Sequence, residues 1–195
     1  MKKNPTKHEQ GKTRVFLVRH GDRIHIPENK GLELRIPGPG LSALGKKQAK
    51  EIAKKFSKIK KEIDVIYSSN MARSIETAEE IGKAINKEPV ICEGISEFNK
   101  FLWERKIFHR HFWKHYKLHK ISLKTFNEIL TKNKEKEIVI VAHGNVIKGL
   151  IGNKLKLKMS QIKKLNYDNC AVTLARFKGT KLDYIYYFNN AGELR

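Results

Sequence analysis

Three apolar runs in this chain of 195 residues end on side chains that can hold or attack an anion. "RVFLV" (14–18) is followed by Arg19-His20-Gly21, "IDVIYSS" (63–69) leads into "NMARSIET" with Arg73, and "EIVIVAH" (137–143) closes on His143-Gly144. These residue types point to phosphoryl chemistry. A guanidinium is planar, permanently charged and able to clamp two phosphate oxygens at once. A neutral imidazole is a competent nucleophile near neutral pH and can carry a phosphoryl group covalently. A second imidazole, kept protonated beside the phosphate, would stabilise charge on the transferring oxygens. A glycine after each histidine keeps side chains out of the way of a bound anion.

Such residues act together only if the fold brings them together. The pattern alternates short apolar runs with helical spacing. After "RVFLV" comes a loop, "RIPGPGL", and then Ser42, a capping residue for a helix with Ala49, Ile52, Ala53, Phe56 and Ile59 on its apolar face. Following the second strand, Met71, Ile75, Ala78, Ile81 and Ile85 mark another helix, and "PVIC" (89–92) a short third strand. "EIVIVAH" is continuous and β-branched, as expected of a strand covered on both faces. A helix around Val146–Leu155 and two paired C-terminal strands, "CAVTLARF" and "LDYIYYF", complete the order. Strands alternating with helices predict a three-layer α/β/α sandwich with a mainly parallel central sheet. In open sheets of this kind ligands bind beyond the carboxyl ends of the strands, where Arg19, His20, Arg73 and His143 would meet.

Composition sets outer bounds. With 39% hydrophobic and 31% charged residues, the chain suits a soluble globular domain, and no stretch approaches the roughly 20 apolar residues of a membrane span. We read residues 1–12 as a flexible tail and 13–195 as one domain with a helical cap insertion at about 98–133. Two cysteines, Cys92 and Cys170, make no disulfide framework, which points to a reducing cytoplasm. The net charge of +21 would attract anionic substrates and polyanions alike, but the lysines recur throughout and form no single arm.

The segments "LVRHG", "GPGLSALGKKQAKEIA", "IYSSNMARSIETAEEI" and "IVIVAHGNVIKGLI" resemble, in order, the motifs of the histidine phosphatase superfamily in its phosphoglycerate-mutase-like branch, over residues 14–95 and 137–177. The resemblance implies that His20 is the nucleophile, that Arg19, Arg73, His143 and Gly144 line the phosphate pocket, and that no metal or cofactor is needed. It also implies a carboxylic acid that protonates the leaving oxygen. Two candidates lie close together, Glu93 and Glu97. "ISEFNKFLWE" puts Glu97 in the family register, with Trp103 and Glu104 following on cue and Phe101 standing where glycine is usual. Arg23, in "RHGDR", occupies a position where an arginine touches phosphate in a related branch; that branch, however, pairs its second histidine with aspartate rather than glycine.

Residues 98–133 fall where the family places a substrate-selecting cap. There His111, His115 and His119 follow i, i+4, i+8 spacing. With no carboxylate or cysteine beside them, they read as a wet stripe opposite an apolar face of Phe108, Phe112 and Tyr116, with Trp103 and Trp113 packed inside. The expected activity is that of a phosphomonoesterase acting on a phosphorylated small molecule or phosphopeptide. The alternatives are phosphoglycerate-mutase-type transfer and, from the aromatics interleaved with lysines, a polyanion- or nucleic-acid-binding role.

Overall fold

The computed structural model describes residues 11–25, 36–98 and 112–194, with Phe112 described by its backbone alone. The elements run β1 (Lys12–Arg19), α1 (Ala43–Ser57), β2 (Val65–Ser69), α2 (Ala72–Ile85), β3 (Val90–Cys92), a 3-10 turn (Glu93–Ile95), α3 (Phe112–Lys132), β4 (Glu137–Ala142), α4 (Gly144–Lys154), α5 (Met159–Ile162), β5 (Val172–Lys178) and β6 (Lys181–Asn190). The six strands form one sheet in the order β3-β2-β4-β1-β5-β6. β1 and β2 run parallel to β4, and β3 parallel to β2; β5 is antiparallel to β1, and β6 to β5.

Strand alternation builds two cores from one sheet. Val15 and Leu17 of β1, with Ile138, Ile140 and Ala142 of β4, face Phe126, Ile129 and Leu130 of α3 and Val146, Ile147 and Leu150 of α4. Phe16 and Val18, with Val139 and Val141, face Ile52 and Phe56 of α1 and Ala78 and Ile81 of α2. Residues of both sets are fully buried on β1 and β4. That explains why these strands read as continuous apolar runs rather than alternating ones. The result is the expected α/β/α sandwich.

Local sequence sets the helix ends. The Ser42 hydroxyl accepts from Gly45 N at 3.0 Å and caps α1, and Asn86 closes α2 in the left-handed conformation at φ 58°. At the end of the sheet remote from the expected site, Arg14 and Glu137 face each other across β1 and β4. Their buried side chains form an ion pair at 2.7 Å, and Arg14 also reaches Glu62 at 3.2 Å.

The segment 98–133 divides. Residues 99–111, including Phe101, Trp103, Glu104, Phe108 and His111, lie outside the described residues. Residues 112–132 form α3, whose second half supplies Phe126, Ile129 and Leu130 to the core. Two of the three histidines expected to form a wet stripe, His115 and His119, are buried. His115 and His119 are 7% and 6% exposed, and the His119 ring stands edge-on to Phe98 at 5.5 Å. Trp113, expected inside, is 68% exposed. The reason is rotational. The face of α3 that meets the sandwich carries His115, His119, Ser122 and Phe126, so Trp113 turns outward. Burial pushes the His119 imidazole down to about 4, which favours the neutral ring. Among the described residues no helix is long and apolar enough to cross a membrane.

Candidate active site

The neighbours β1, β4 and β2 end side by side, and their C-terminal ends deliver three parts of the site. His20 follows β1, Ser69 ends β2, and His143 follows β4 as the N-cap of α4. The rings of His20 and His143 lie with centroids 5.1 Å apart and planes at 61°. Arg73 comes from the first turn of α2, and its Nε donates to His20 Nε2 at 3.1 Å. His20, His143 and Arg73 are 3%, 0% and 2% exposed. A buried cation beside two imidazoles makes a cradle that can hold an anion.

Hydrogen bonding fixes the chemistry of His20. Its Nδ1 lies 2.6 Å from the Gly21 carbonyl, which can only accept, so Nδ1 carries the proton and Nε2 the lone pair. Burial, with the Arg73 charge second, pushes the His20 pKa well below the usual imidazole range, which favours the neutral ring. His143 Nε2 contacts Ser69 Oγ at 2.8 Å and Ser74 Oγ at 3.4 Å. Burial first, and then His20, Arg73 and Arg19, hold His143 well below the ordinary range too. Burial and these three neighbours favour the neutral ring, so the protonated second imidazole expected from sequence would need the charge of a phosphate beside it.

Between the two carboxyl candidates the geometry is clear. Glu97 Oε2 lies 3.7 Å from His143 Nδ1 with a side chain 14% exposed, whereas Glu93 sits exposed on the 3-10 turn. Burial raises the Glu97 carboxyl to about 7, against the opposing pull of Arg73. Its Oε1 accepts from Phe98 N at 3.0 Å, and Asn145 Nδ2 donates to the Phe98 carbonyl at 3.0 Å, tying this segment to α4.

Arg19 hydrogen-bonds the Tyr167 carbonyl and lies beside Gly144, where an added Cβ would stand 3.5 Å from Arg19 Nε. Arg23 is less engaged. It forms a bridge with Leu41, and its guanidinium donates to the Ile24 carbonyl at 3.5 Å, while its charge still bears on His20 and Arg19. The Gly21 requirement is not clearance for an anion. A Cβ there would come within 2.7 Å of the Gly45 carbonyl oxygen, and a Cβ on Gly45 within 1.9 Å of the Asp22 carbonyl oxygen. The two glycines let the loop after β1 lie directly on α1, and Gly21 N donates to Thr77 Oγ1 at 3.1 Å to hold it.

Sequence reasoning missed Ser74, Thr77 and Asn145 as the framework of the site, and gave Ser69 no part beyond ending its strand. Their signal was faint: small polar residues at a strand end or on the inward face of α2 and α4, which spacing alone does not separate from ordinary capping. The nitrogens and carboxyl oxygens of His20, Glu97 and His143 come within 4.8 Å of one another, a donor set a metal could use. Arg19 and Arg73 beside them, and the Arg73 hydrogen bond on His20 Nε2, suit an anion instead.

Paired imidazoles, buried guanidinium groups and a raised carboxyl at the C-terminal edge of a mainly parallel sheet define a phosphoryl-handling α/β/α enzyme. The chain belongs to the histidine phosphatase superfamily (branch 1), whose family model matches residues 15–119 and 114–190. It is 38% identical over 90 residues to phosphoserine phosphatase 1 of Hydrogenobacter thermophilus, covering 46% of this chain and 41% of that one. A second protein of that organism, provisionally named phosphoserine phosphatase 2, is 24% identical over 198 residues, 89% of this chain and 94% of its own. Among solved structures, phosphoserine phosphatase of Entamoeba histolytica with 3-phosphoglyceric acid superposes with a TM-score of 0.67 at 23% identity, covering 91% and 97% of the two chains. YhfR of Bacillus stearothermophilus gives a TM-score of 0.72 at 19% identity, covering 91% and 97%. The structural likenesses establish the fold.

Proposed function

We propose that the protein hydrolyses phosphate monoesters of small molecules through a phosphohistidine on His20. The observation that carries this reading is the His20 ring itself. It is neutral, its Nδ1–H is anchored on the Gly21 carbonyl, and its Nε2 faces the Arg73 guanidinium, where a phosphoryl group would be clamped.

In the first step an incoming phosphate accepts from Arg73 and frees the Nε2 lone pair. That lone pair attacks phosphorus as the ester P–O bond breaks. Arg19 and Arg73 hold the equatorial oxygens, and the positive end of α4, starting at Gly144 directly after His143, adds to the same field. His143 gains a proton as the dianion enters and then shares the charge. Glu97, raised to about 7, delivers its proton to the departing oxygen so that an alcohol leaves instead of an alkoxide. In the second step the Glu97 carboxylate takes a proton from water, the water oxygen attacks phosphorus, and the P–N bond breaks to release inorganic phosphate and restore His20.

The names of the curated relatives favour hydrolysis over return of the phosphoryl group to a second alcohol, and phosphoserine-like esters as substrates. A polyanion-binding role draws on the +21 charge, part of it on solvated lysines of α1 such as Lys46, Lys47, Lys50 and Lys54, and on the aromatics interleaved with lysines. The test is His20→Ala. Hydrolysis of p-nitrophenyl phosphate and of phosphoserine should fall below detection with circular dichroism unchanged. The wild-type protein, quenched in alkali during turnover, should carry one phosphoryl group by intact mass. Persistent turnover in His20→Ala refutes the mechanism.

A further inference from the structure

Lys148 stands on α4, one helical turn past Gly144 and three residues past Asn145, so it shares their side of the helix. Gly144 lies against Arg19, and Asn145 holds the Phe98 carbonyl next to Glu97. Lys148 thus rises from the part of α4 that borders the site, where its ammonium feels both the Glu97 carboxyl and the Arg19 guanidinium. It is half withdrawn from water, and it makes no hydrogen bond or ion pair with any described residue.

The contrast with Lys154 on the same helix is instructive. Lys154 is withdrawn from water to a similar degree, and its Nζ donates to Asn127 Oδ1 and to the Thr180 carbonyl, each at 2.6 Å. A partly buried ammonium costs free energy unless something satisfies it, and the described residues satisfy Lys154 but not Lys148. Nor does the phosphoryl group need Lys148. A monoester carries about −1.5 to −2 charge at neutral pH, which Arg19 and Arg73 already balance even before His143 takes up its proton. Lys148 is a surplus positive charge at the edge of the cradle.

We infer that Lys148 is a specificity-determining residue that receives a carboxylate on the alcohol portion of the ester, making phosphorylated carboxylic acids the substrate class. This inference rests on the phosphatase reading above. A matched pair of substrates tests it, because O-phosphoserine and O-phosphoethanolamine differ by one carboxylate. Wild type should favour phosphoserine in kcat/KM by about 10-fold, the worth of one charged hydrogen bond. In Lys148→Met that preference should collapse to near unity through KM, and Lys148→Arg should restore most of it. Turnover of p-nitrophenyl phosphate should persist and reports on the chemical step.

A wild-type preference near unity, or one retained in Lys148→Met, overturns the inference. So does a fall in kcat shared by every substrate with a displaced pH profile, which would make Lys148 a partner of Glu97. If wild type hydrolyses none of the three esters, the phosphatase reading fails; if it hydrolyses p-nitrophenyl phosphate without favouring the carboxylate, only this inference does.

Discussion

Arg73 Nε donates to His20 Nε2 at 3.1 Å, so in the proposed reaction the lone pair that would attack phosphorus is held by the cation that would clamp the substrate. On this reading the lone pair is covered until an anion competes for Arg73. The same contact lowers the His20 pKa, second only to burial, and so keeps the ring neutral.

Replacing Arg73 with Gln separates the two roles. Losing a charged donor to phosphate should raise KM for phosphate esters by about 10- to 100-fold. Removing a neighbouring positive charge should raise the His20 pKa, because a cation beside an imidazole opposes its protonation. The low-pH limb of kcat/KM should then move to higher pH. A profile that stays in place while KM rises would deny Arg73 any part in tuning His20.

Glu97 governs the opposite limb. Its carboxyl, raised to about 7, must be protonated to serve the leaving group, so kcat/KM should decline as pH rises through about 7. Glu97→Gln should remove that decline and lower kcat for alkyl phosphates by about 100- to 10,000-fold. Formation of the phosphoenzyme from p-nitrophenyl phosphate should suffer far less, because nitrophenolate leaves without a proton. Equal losses on the two ester types in single-turnover experiments would remove Glu97 from the acid role.

Much of this was legible before any coordinates. Apolar runs ending in Arg19-His20, Ser68-Ser69 and His143 marked strands whose chemistry lies at their tips, and the Ser42 cap and the Phe56 face of α1 followed from local rules. Those features are written in consecutive residues. The rotation of α3 was not legible. His115 and His119 face inward and Trp113 outward because of where the helix meets the sandwich, and hydropathy ranks these side chains the other way. Nor was the downward shift of the His143 pKa, set first by burial and then by His20, Arg73 and Arg19 from other elements.

Far from the site, Arg14 is the buried partner of Glu137. Arg14→Ala would leave that carboxyl buried without its cation and should destabilise the fold by about 3–5 kcal/mol. For a domain of this length that corresponds to a loss of very roughly 6–20 °C in Tm by calorimetry. The Arg14→Ala/Glu137→Ala double variant should recover part of the loss. A drop below about 1 kcal/mol in the single variant would show that the pair is solvated and of little weight.

Residue type and order determined the strands, the helix faces and the identity of the groups able to handle phosphate, since each of these depends on neighbours a few positions away. What only the folded chain decided is which of those groups meet and in what ionisation state. Glu97 rather than Glu93 reaches His143, Gly21 serves the contact with Gly45, and His20 stands neutral under Arg73. Distance and desolvation set these outcomes, and both arise between segments that are remote in sequence.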